Sequence, residues 1–132
     1  MDDSQLIAMA TQARERAYAP YSGFRVGAVV LTADGSVFCG CNIENASYGL
    51  TICAERVAIF AAVSSGRTDI LALAVVADAE PPVAPCGACR QVLAEFAAEA
   101  RVVAANPGGA VRSWALRELL PEAPFAGGER PS

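Results

Sequence analysis

Residues 51–63 read TICAERVAIFAAV, a short polar segment that runs without a break into an apolar one. The apolar run predicts a buried helix, with Cys53 and Glu55 in or near its first turn. Unpaired N–H groups and the positive end of the helix dipole favour a thiolate and a carboxylate there. This stretch therefore predicts both a core helix and a reactive site at its start.

A second segment, residues 85–96, reads PCGACRQVLAEF and again places cysteines at the start of a helix. The C-x-x-C spacing lets the sulfurs of Cys86 and Cys89 face one ion. Three thiolates and one carboxylate are thus expected to converge from two helix starts. This arrangement is typical of zinc-dependent nucleobase deaminases, in which a glutamate that does not bind the metal transfers protons.

Composition predicts one compact domain over residues 1–132, with a loosely ordered tail from about 122 to 132. The chain is 54% hydrophobic and 18% charged, which is typical of a globular protein. No apolar run is long enough to span a membrane, and the N-terminus lacks a signal-peptide pattern. We therefore expect a cytoplasmic protein whose five cysteines are ligands or core residues and not disulfides.

The ionisable residues restrict the chemistry further. The chain has no histidine and no lysine, so a histidine-zinc site, a Ser-His triad and an imidazole base are all excluded. Its net charge of −4 disfavours a groove that follows a phosphate backbone. A small-molecule substrate, with no nucleic acid and no membrane partner, is the expectation.

Periodicity and turn signals predict an alternation of helices and strands. The predicted helices cover residues 3–18 (capped by Asp3 or Ser4), about 53–63, about 87–98 and 116–120, and the predicted strands cover 24–31, 37–41, 70–77, 101–105 and 110–114. This order indicates a mixed sheet covered by helices. Right-handed crossovers would bring successive helix starts to one edge of the sheet, where Cys53 and Cys86 can meet.

Alternative interpretations of the cysteines remain open. Cys39 or Cys41 could complete a four-cysteine structural zinc site, although unliganded core thiols are the preferred interpretation of that pair. A redox dithiol at the C-x-x-C motif would leave Cys53 without a role. A zinc-stabilised binding module would carry metal without releasing ammonia.

Four motifs together carry a resemblance to a known family. They are YSGFRVGA at 21–28, NIENASY at 42–48, CAER at 53–56 and PCGACRQ at 85–91. In this order the chain resembles the cytidine deaminases in their small homotetrameric form. The resemblance implies a three-layer α/β/α sandwich with a five-stranded mixed sheet. It also implies one Zn²⁺ per chain and hydrolysis of cytidine and 2′-deoxycytidine in pyrimidine salvage.

The resemblance assigns roles to individual residues. Cys53, Cys86 and Cys89 would bind zinc, and Glu55 would be the catalytic acid and base. Arg56 and Arg90, adjacent to Glu55 or to a ligand, are expected to offset the negative charge of the thiolates. The implied substrate-binding residues are Phe24, Asn42, Glu44, Ala46, Tyr48, Ala54 and Phe125.

The resemblance assigns some of these residues to the base of the nucleoside and others to its sugar. Phe24 would line the base pocket and the backbone of Ala54 would meet the base carbonyl, while Asn42 and Glu44 would hold the ribose 3′-hydroxyl. Neighbouring subunits would contribute the other three, so that active sites are shared in a homotetramer. A nucleoside-analogue deaminase of the blasticidin type and a polynucleotide cytosine deaminase are the alternative enzymes.

Overall fold

The computed structural model describes residues 1–122, so the predicted tail from 123 onward, including Phe125, lies outside the described residues. The helices are Asp3–Arg14 (α1), Ala54–Ser64 (α2), Gly87–Phe96 (α3) and Leu116–Leu119 (α4), with a 3₁₀ turn at Tyr48–Leu50. The strands are Val26–Thr32 (β1), Val37–Cys41 (β2), Ile70–Ala77 (β3), Arg101–Ala105 (β4) and Val111–Ala115 (β5). The bounds predicted for β2, β3 and β4 are confirmed.

The five strands form one mixed sheet in the order β2-β1-β3-β4-β5. Strand β1 is antiparallel to both β2 and β3, and β3 is parallel to β4, so β2, β3 and β4 run in the same direction. Helix α2 connects β2 to β3, and α3 connects β3 to β4. Both helices therefore begin beyond the carboxyl ends of strands that point the same way, which brings their starts to one edge of the sheet.

Helices cover both faces of the sheet, as predicted for a three-layer sandwich. Alternate residues of a strand point to opposite faces. Ala28 and Val30 of β1 accordingly pack with α2, α3 and α4, in a core that includes Ile59 and Leu93. Val29 and Leu31 belong instead to the core under α1, which is centred on Leu6.

Helix α1 begins at Asp3, as predicted, but its N-cap and its C-terminal end differ from the prediction. Its N-cap is Asp2, because the Asp2 carboxylate accepts the Gln5 N–H while the Gln5 side chain accepts the Asp2 N–H, each at 2.9 Å. This reciprocal pair satisfies two amides at once. The helix ends at Arg14 and not near Tyr18, because the Tyr18 N–H donates to the carbonyl of Asn42 and the Tyr18 carbonyl accepts the Glu44 N–H.

Cys39 and Cys41 are not the core thiols that we expected. Strand β2 lies at the edge of the sheet. Cys39 is consequently exposed and Cys41 half-buried, and both are free thiols. They line a groove together with Met9 and Gln12 of α1 and with Arg16, which follows that helix. Residues 1–122 contain no helix that is both long and apolar enough to cross a membrane.

Candidate active site

Three cysteine sulfurs converge where α2 and α3 begin. The Sγ atoms of Cys53, Cys86 and Cys89 all lie within 4.8 Å of one another. The Cys53–Cys86 separation is 3.8 Å and the Cys86–Cys89 separation is 3.5 Å. The structure thus brings together the three residues that the sequence selected as ligands.

Two of these cysteines occupy the same position relative to a helix. Cys53 is the N-cap of α2 and Cys86 is the N-cap of α3, both with extended backbone and neither with a side-chain capping bond. Cys89 follows in the first turn of α3 and is fully buried. The first amides of both helices lack intrahelical acceptors, so their partial positive charge favours thiolates there.

The cluster fits a zinc ion. Tetrahedral coordination with Zn–S bonds of about 2.3 Å places two sulfurs about 3.8 Å apart, close to the 3.5 and 3.8 Å separations measured here. Within residues 1–122 the cluster comprises three potential ligands, and Cys39 and Cys41 are not among them. Three protein ligands leave the fourth position of a tetrahedral zinc for water or substrate.

Glu55 is the carboxylate nearest in sequence to the cluster, and it is buried. It is the second residue of α2 and only 6% exposed. Burial, together with the negative charge of the Cys53 thiolate, raises the pKa of Glu55 to about 7. The expectation that Cys53 and Glu55 lie in or near the first turn of this helix is confirmed.

Arg56 contacts the thiolates directly. Its Nη2 atom donates to Cys53 Sγ at 3.4 Å. Hydrogen bonds from the Cys89 thiol and from Arg56 lower the pKa of Cys53 to about 5, whereas the bond to Cys53 and burial raise the pKa of Cys89. The Nε atom of Arg56 is buried without a hydrogen-bond partner among the described residues.

Arg90 lies beside the site but bonds to backbone. Its Nε donates to the carbonyl of Pro85 at 2.7 Å and its Nη1 to the carbonyl of Leu119 at 3.0 Å. The guanidinium thus fixes the turn that carries Cys86 against the end of α4. Both bonds go to backbone carbonyls and not to the thiolates.

Asn42 is buried beside β1. Its Nδ2 donates to the carbonyl of Phe24 at 2.8 Å and its Oδ1 accepts the N–H of Val26 at 2.9 Å. The predicted start of this strand was Phe24. The strand begins at Val26 instead, because the Asn42 side chain bonds to the Phe24 carbonyl and to the Val26 N–H. Among residues 1–122 the second Nδ2 hydrogen has no acceptor, so it can donate to another group.

Glu44 lines a cavity of about 320 Å³. Its carboxylate accepts hydrogen bonds from the N–H groups of Tyr21 and Ser22 and from the hydroxyl of Ser22. These donors lower the pKa of Glu44, with the Ser22 hydroxyl as the largest cause. Sequence reasoning gave no role to Ser22, although it lies inside one of the motifs.

The other predicted contact residues are found at the start of α2 or on the surface. Ala54 is the first residue of α2 and is fully buried, so its N–H belongs to the free amides of that helix start. Phe24 is 39% exposed and Tyr48 is 77% exposed. The Tyr48 ring meets the ring of Tyr21 edge to face, with centroids 6.4 Å apart. Ala46 is exposed in the loop before α2.

Comparisons with known proteins agree with this geometry. Residues 1–105 match the family model of the cytidine and deoxycytidylate deaminase zinc-binding region. The chain is 58% identical to the cytidine deaminase of Halalkalibacterium halodurans over 124 residues, which are 93% of this chain and 94% of the relative. It is 46% identical to that of Mycobacterium tuberculosis over 123 residues, covering 93% and 90%.

A solved structure gives the same result. The 1.6 Å crystal structure of cytidine deaminase from Burkholderia pseudomallei superimposes with a TM-score of 0.90 at 52% identity, over 93% of this chain and 99% of the other. The chain belongs to the cytidine deaminase family. It is therefore a hydrolytic deaminase with a zinc-binding region, and its sheet and helices are those of the family.

Proposed function

We propose that this chain hydrolyses the exocyclic amino group of cytidine and 2′-deoxycytidine, forming the uridines and ammonia. The observation that carries the proposal is the buried Glu55 two residues after Cys53, beside three sulfurs that lie within 4.8 Å of one another. Relatives named cytidine deaminase support the choice of substrate.

Zinc held by Cys53, Cys86 and Cys89 would supply Lewis acidity toward a water molecule. We assign the proton transfers to Glu55. Its carboxylate accepts a proton from the attacking water and delivers it to ring nitrogen 3 of the cytosine. Glu55 then accepts the proton of the new hydroxyl on ring carbon 4 and delivers it to the amino group. The C–N bond breaks, ammonia leaves, and the C–O bond becomes the carbonyl of the uridine. Burial keeps bulk water from competing for these protons.

Arg56 supports this chemistry through charge. Three thiolates around a divalent cation leave a net charge of −1, which weakens the Lewis acidity of the metal. The guanidinium at 3.4 Å from Cys53 Sγ withdraws electron density from that sulfur. The free amides at the starts of α2 and α3 act in the same direction.

The nucleoside is assigned to residues just before β1, just after β2 and at the start of α2. Phe24 lines the base pocket, and the N–H of Ala54 donates to the base carbonyl. Asn42 offers its free Nδ2 hydrogen to the 3′-hydroxyl, and Glu44 accepts the hydroxyl proton. The 320 Å³ cavity at Glu44 supports the sugar part of this assignment.

A homotetramer with shared active sites is part of the proposal. The loop before α2 exposes large apolar side chains, with Tyr48 at 77% and Leu50 at 70% exposure. Such a patch beside a site is typical of a protein interface. We assign to Ala46, Tyr48 and Phe125 a contact with the substrate that a neighbouring subunit binds. Phe125 lies outside the described residues.

We also propose a cytoplasmic location and a role in pyrimidine salvage. All five cysteines are free thiols. A reducing compartment keeps ligand thiols available for zinc, whereas an oxidising one favours disulfides. Deamination of free nucleosides returns them to the uridine pool, which is a salvage reaction.

The test is ammonia release from cytidine by the zinc-loaded protein and by its Glu55→Gln variant. General acid–base catalysis contributes about 10²–10⁴-fold to a rate, so Glu55→Gln should lose at least that factor in kcat. Metal analysis should find about one zinc per chain in both proteins, because Glu55 is not a ligand.

Glu15→Gln is the matched control. Glu15 is an exposed carboxylate at the end of α1, and its loss should leave kcat unchanged. Wild-type protein that binds zinc but releases no ammonia would make the chain a zinc-stabilised binding module. A zinc-loaded Glu55→Gln protein with substantial turnover would remove Glu55 from the mechanism.

A further inference from the structure

The Ser22 hydroxyl joins two residues that the proposed function places on different parts of the nucleoside. It donates to Glu44 Oε2, and its oxygen accepts the N–H of Phe24 at 3.0 Å. Glu44 is assigned to the sugar and Phe24 to the base. One small side chain thus connects both halves of the substrate pocket.

Local backbone geometry makes this double contact possible. Gly23 separates the two partners and has a φ of +70°. A side chain rarely adopts this left-handed conformation, whereas glycine does so at little cost. The reversal at Gly23 turns the Phe24 N–H back toward the Ser22 hydroxyl. On its other side, the Phe24 carbonyl is held by Asn42 Nδ2 at 2.8 Å.

The Glu44 carboxylate accepts three hydrogen bonds from the described residues and can accept one more. An ionised carboxylate has about four acceptor positions, two on each oxygen. Oε1 accepts the N–H groups of Tyr21 and Ser22, at 2.9 and 3.1 Å, and is filled. Oε2 accepts only the Ser22 hydroxyl among the described donors. One acceptor position therefore remains on Oε2, for a donor that enters the cavity.

The orientation of the Ser22 hydroxyl is also fixed. A hydroxyl has one proton and two lone pairs. The Phe24 N–H occupies one lone pair, and an ionised Glu44 can only accept, so the hydroxyl proton points to Glu44. The cavity onto which this pair opens is lined by Tyr21, Ser22, Glu44, Asn45, Tyr48 and Thr51.

We infer that Ser22 is a positioning residue that sets the preference of the enzyme for nucleosides with a 3′-hydroxyl. Its hydroxyl orients the free acceptor position of Glu44 Oε2 and also holds the backbone N–H of Phe24 in place. The inference rests on the proposed function, in which Glu44 binds the sugar. It adds a residue to which no substrate contact is assigned. Without the Ser22 hydroxyl the carboxylate can rotate, and the Phe24 N–H loses its acceptor.

The experiment compares 2′-deoxycytidine with 2′,3′-dideoxycytidine, which differ only in the 3′-hydroxyl. The ratio of their kcat/KM values measures the 3′-preference. Ser22→Ala should reduce this ratio by about tenfold or more, since hydrogen bonds to charged groups are the stronger ones. Ser22→Thr keeps the hydroxyl at an exposed position and should restore the ratio.

Two further variants separate positioning from mere structure. Thr11→Ala removes an exposed hydroxyl of α1 that donates to the Ile7 carbonyl and does not line this cavity, and it should leave the 3′-preference unchanged. In a Glu44→Gln background, Ser22→Ala should reduce the ratio no further, because the two residues act as a unit. Equal losses of kcat/KM on both nucleosides in Ser22→Ala would overturn the inference.

A substrate-independent measurement distinguishes this inference from the proposed function. Titration of the Glu44 carboxyl carbon by NMR should show a raised pKa in Ser22→Ala and an unchanged one in Ser22→Thr. If the pKa does not move, the Ser22–Glu44 link is wrong whatever the enzyme does. If it moves but the wild type shows no 3′-preference, the assignment of Glu44 to the sugar fails, and with it the specificity role.

Discussion

At the level of single residues, the arrangement of the cysteines decides between a catalytic and a structural zinc site. Cys53, Cys86 and Cys89 lie together, whereas Cys39 and Cys41 lie on an edge strand in a separate groove. The described residues therefore provide three thiolates and no fourth. A zinc ion held by these three thiolates would keep a coordination position for water, as the proposed hydrolysis requires.

The first prediction concerns metal content. Cys89→Ser should reduce bound zinc from about one per chain to near zero, because Cys89 is a fully buried member of the cluster. Cys39→Ser and Cys41→Ser should keep the full content, since neither sulfur belongs to the cluster. Atomic emission analysis of the purified variants measures this. Loss of zinc in either of the latter two would point to a four-cysteine structural site.

Among the secondary-structure elements, the position of α2 matters most, because its first turn carries Glu55 and its N-cap is Cys53. Gly40 of β2 faces this turn. A Cβ at Gly40 would lie 2.5 Å from Ala58 N and 2.6 Å from Ala54 O. Both atoms are backbone, so relief of the overlap requires a shift of the helix relative to β2.

Gly40→Ala should therefore reduce zinc affinity and kcat together in the folded protein. Leu6→Ala is the control, since it opens a cavity under α1 on the opposite face of the sheet. It should cost about 2–5 kcal/mol of unfolding free energy and leave the zinc affinity of the folded protein unchanged. Chelator competition gives the affinity, and urea unfolding gives the stability.

The two measurements separate positioning from general stability. If Gly40→Ala lowers only the unfolding free energy, while zinc affinity and kcat stay at wild-type values, then the contact with β2 does not set the position of α2. A parallel loss of zinc affinity in Leu6→Ala would show that any loss of core packing disturbs the site.

For the whole molecule, the proposed sharing of active sites depends on Phe125, which lies outside the described residues. Stacking of an aromatic ring on a base contributes about 1–3 kcal/mol. Phe125→Ala should accordingly raise the KM for cytidine about 5- to 150-fold. Bound zinc should not change, since the three ligands belong to the chain itself.

Mixed oligomers test whether this ring acts across an interface. Glu55→Ala subunits lack the proton-transfer group but keep Phe125, and Phe125→Ala subunits have the opposite defect. Co-assembled, they should show a lower KM than Phe125→Ala homo-oligomers, because some competent sites regain a ring from the neighbour. Light scattering should give a tetramer for each. Kinetics equal to the average of the two parents would contradict the sharing.

From the sequence alone it was possible to predict the three zinc ligands, to propose Glu55 for proton transfer and to place most of the elements. The cysteines and Glu55 lie at the starts of the predicted segments 53–63 and 87–98, which are longer than a typical strand, and such length favours a helix. Strands β3 and β4 were predicted at their observed bounds because they are buried on both faces, so that hydrophobicity alone marks them. The meeting of the helix starts followed from the chain order.

The hydrogen bonds between residues distant in sequence could not be predicted and follow from the folded structure. Tyr18, beyond the end of α1, pairs with the segment at Asn42. Arg90 bonds to Pro85 and Leu119, and Ser22 bonds to Glu44. The exposure of Cys39 follows from the place of β2 at the sheet edge. Local periodicity records which face of an element is buried. It carries no information on the partner of a polar group, since that partner is chosen by proximity in space between residues distant in sequence.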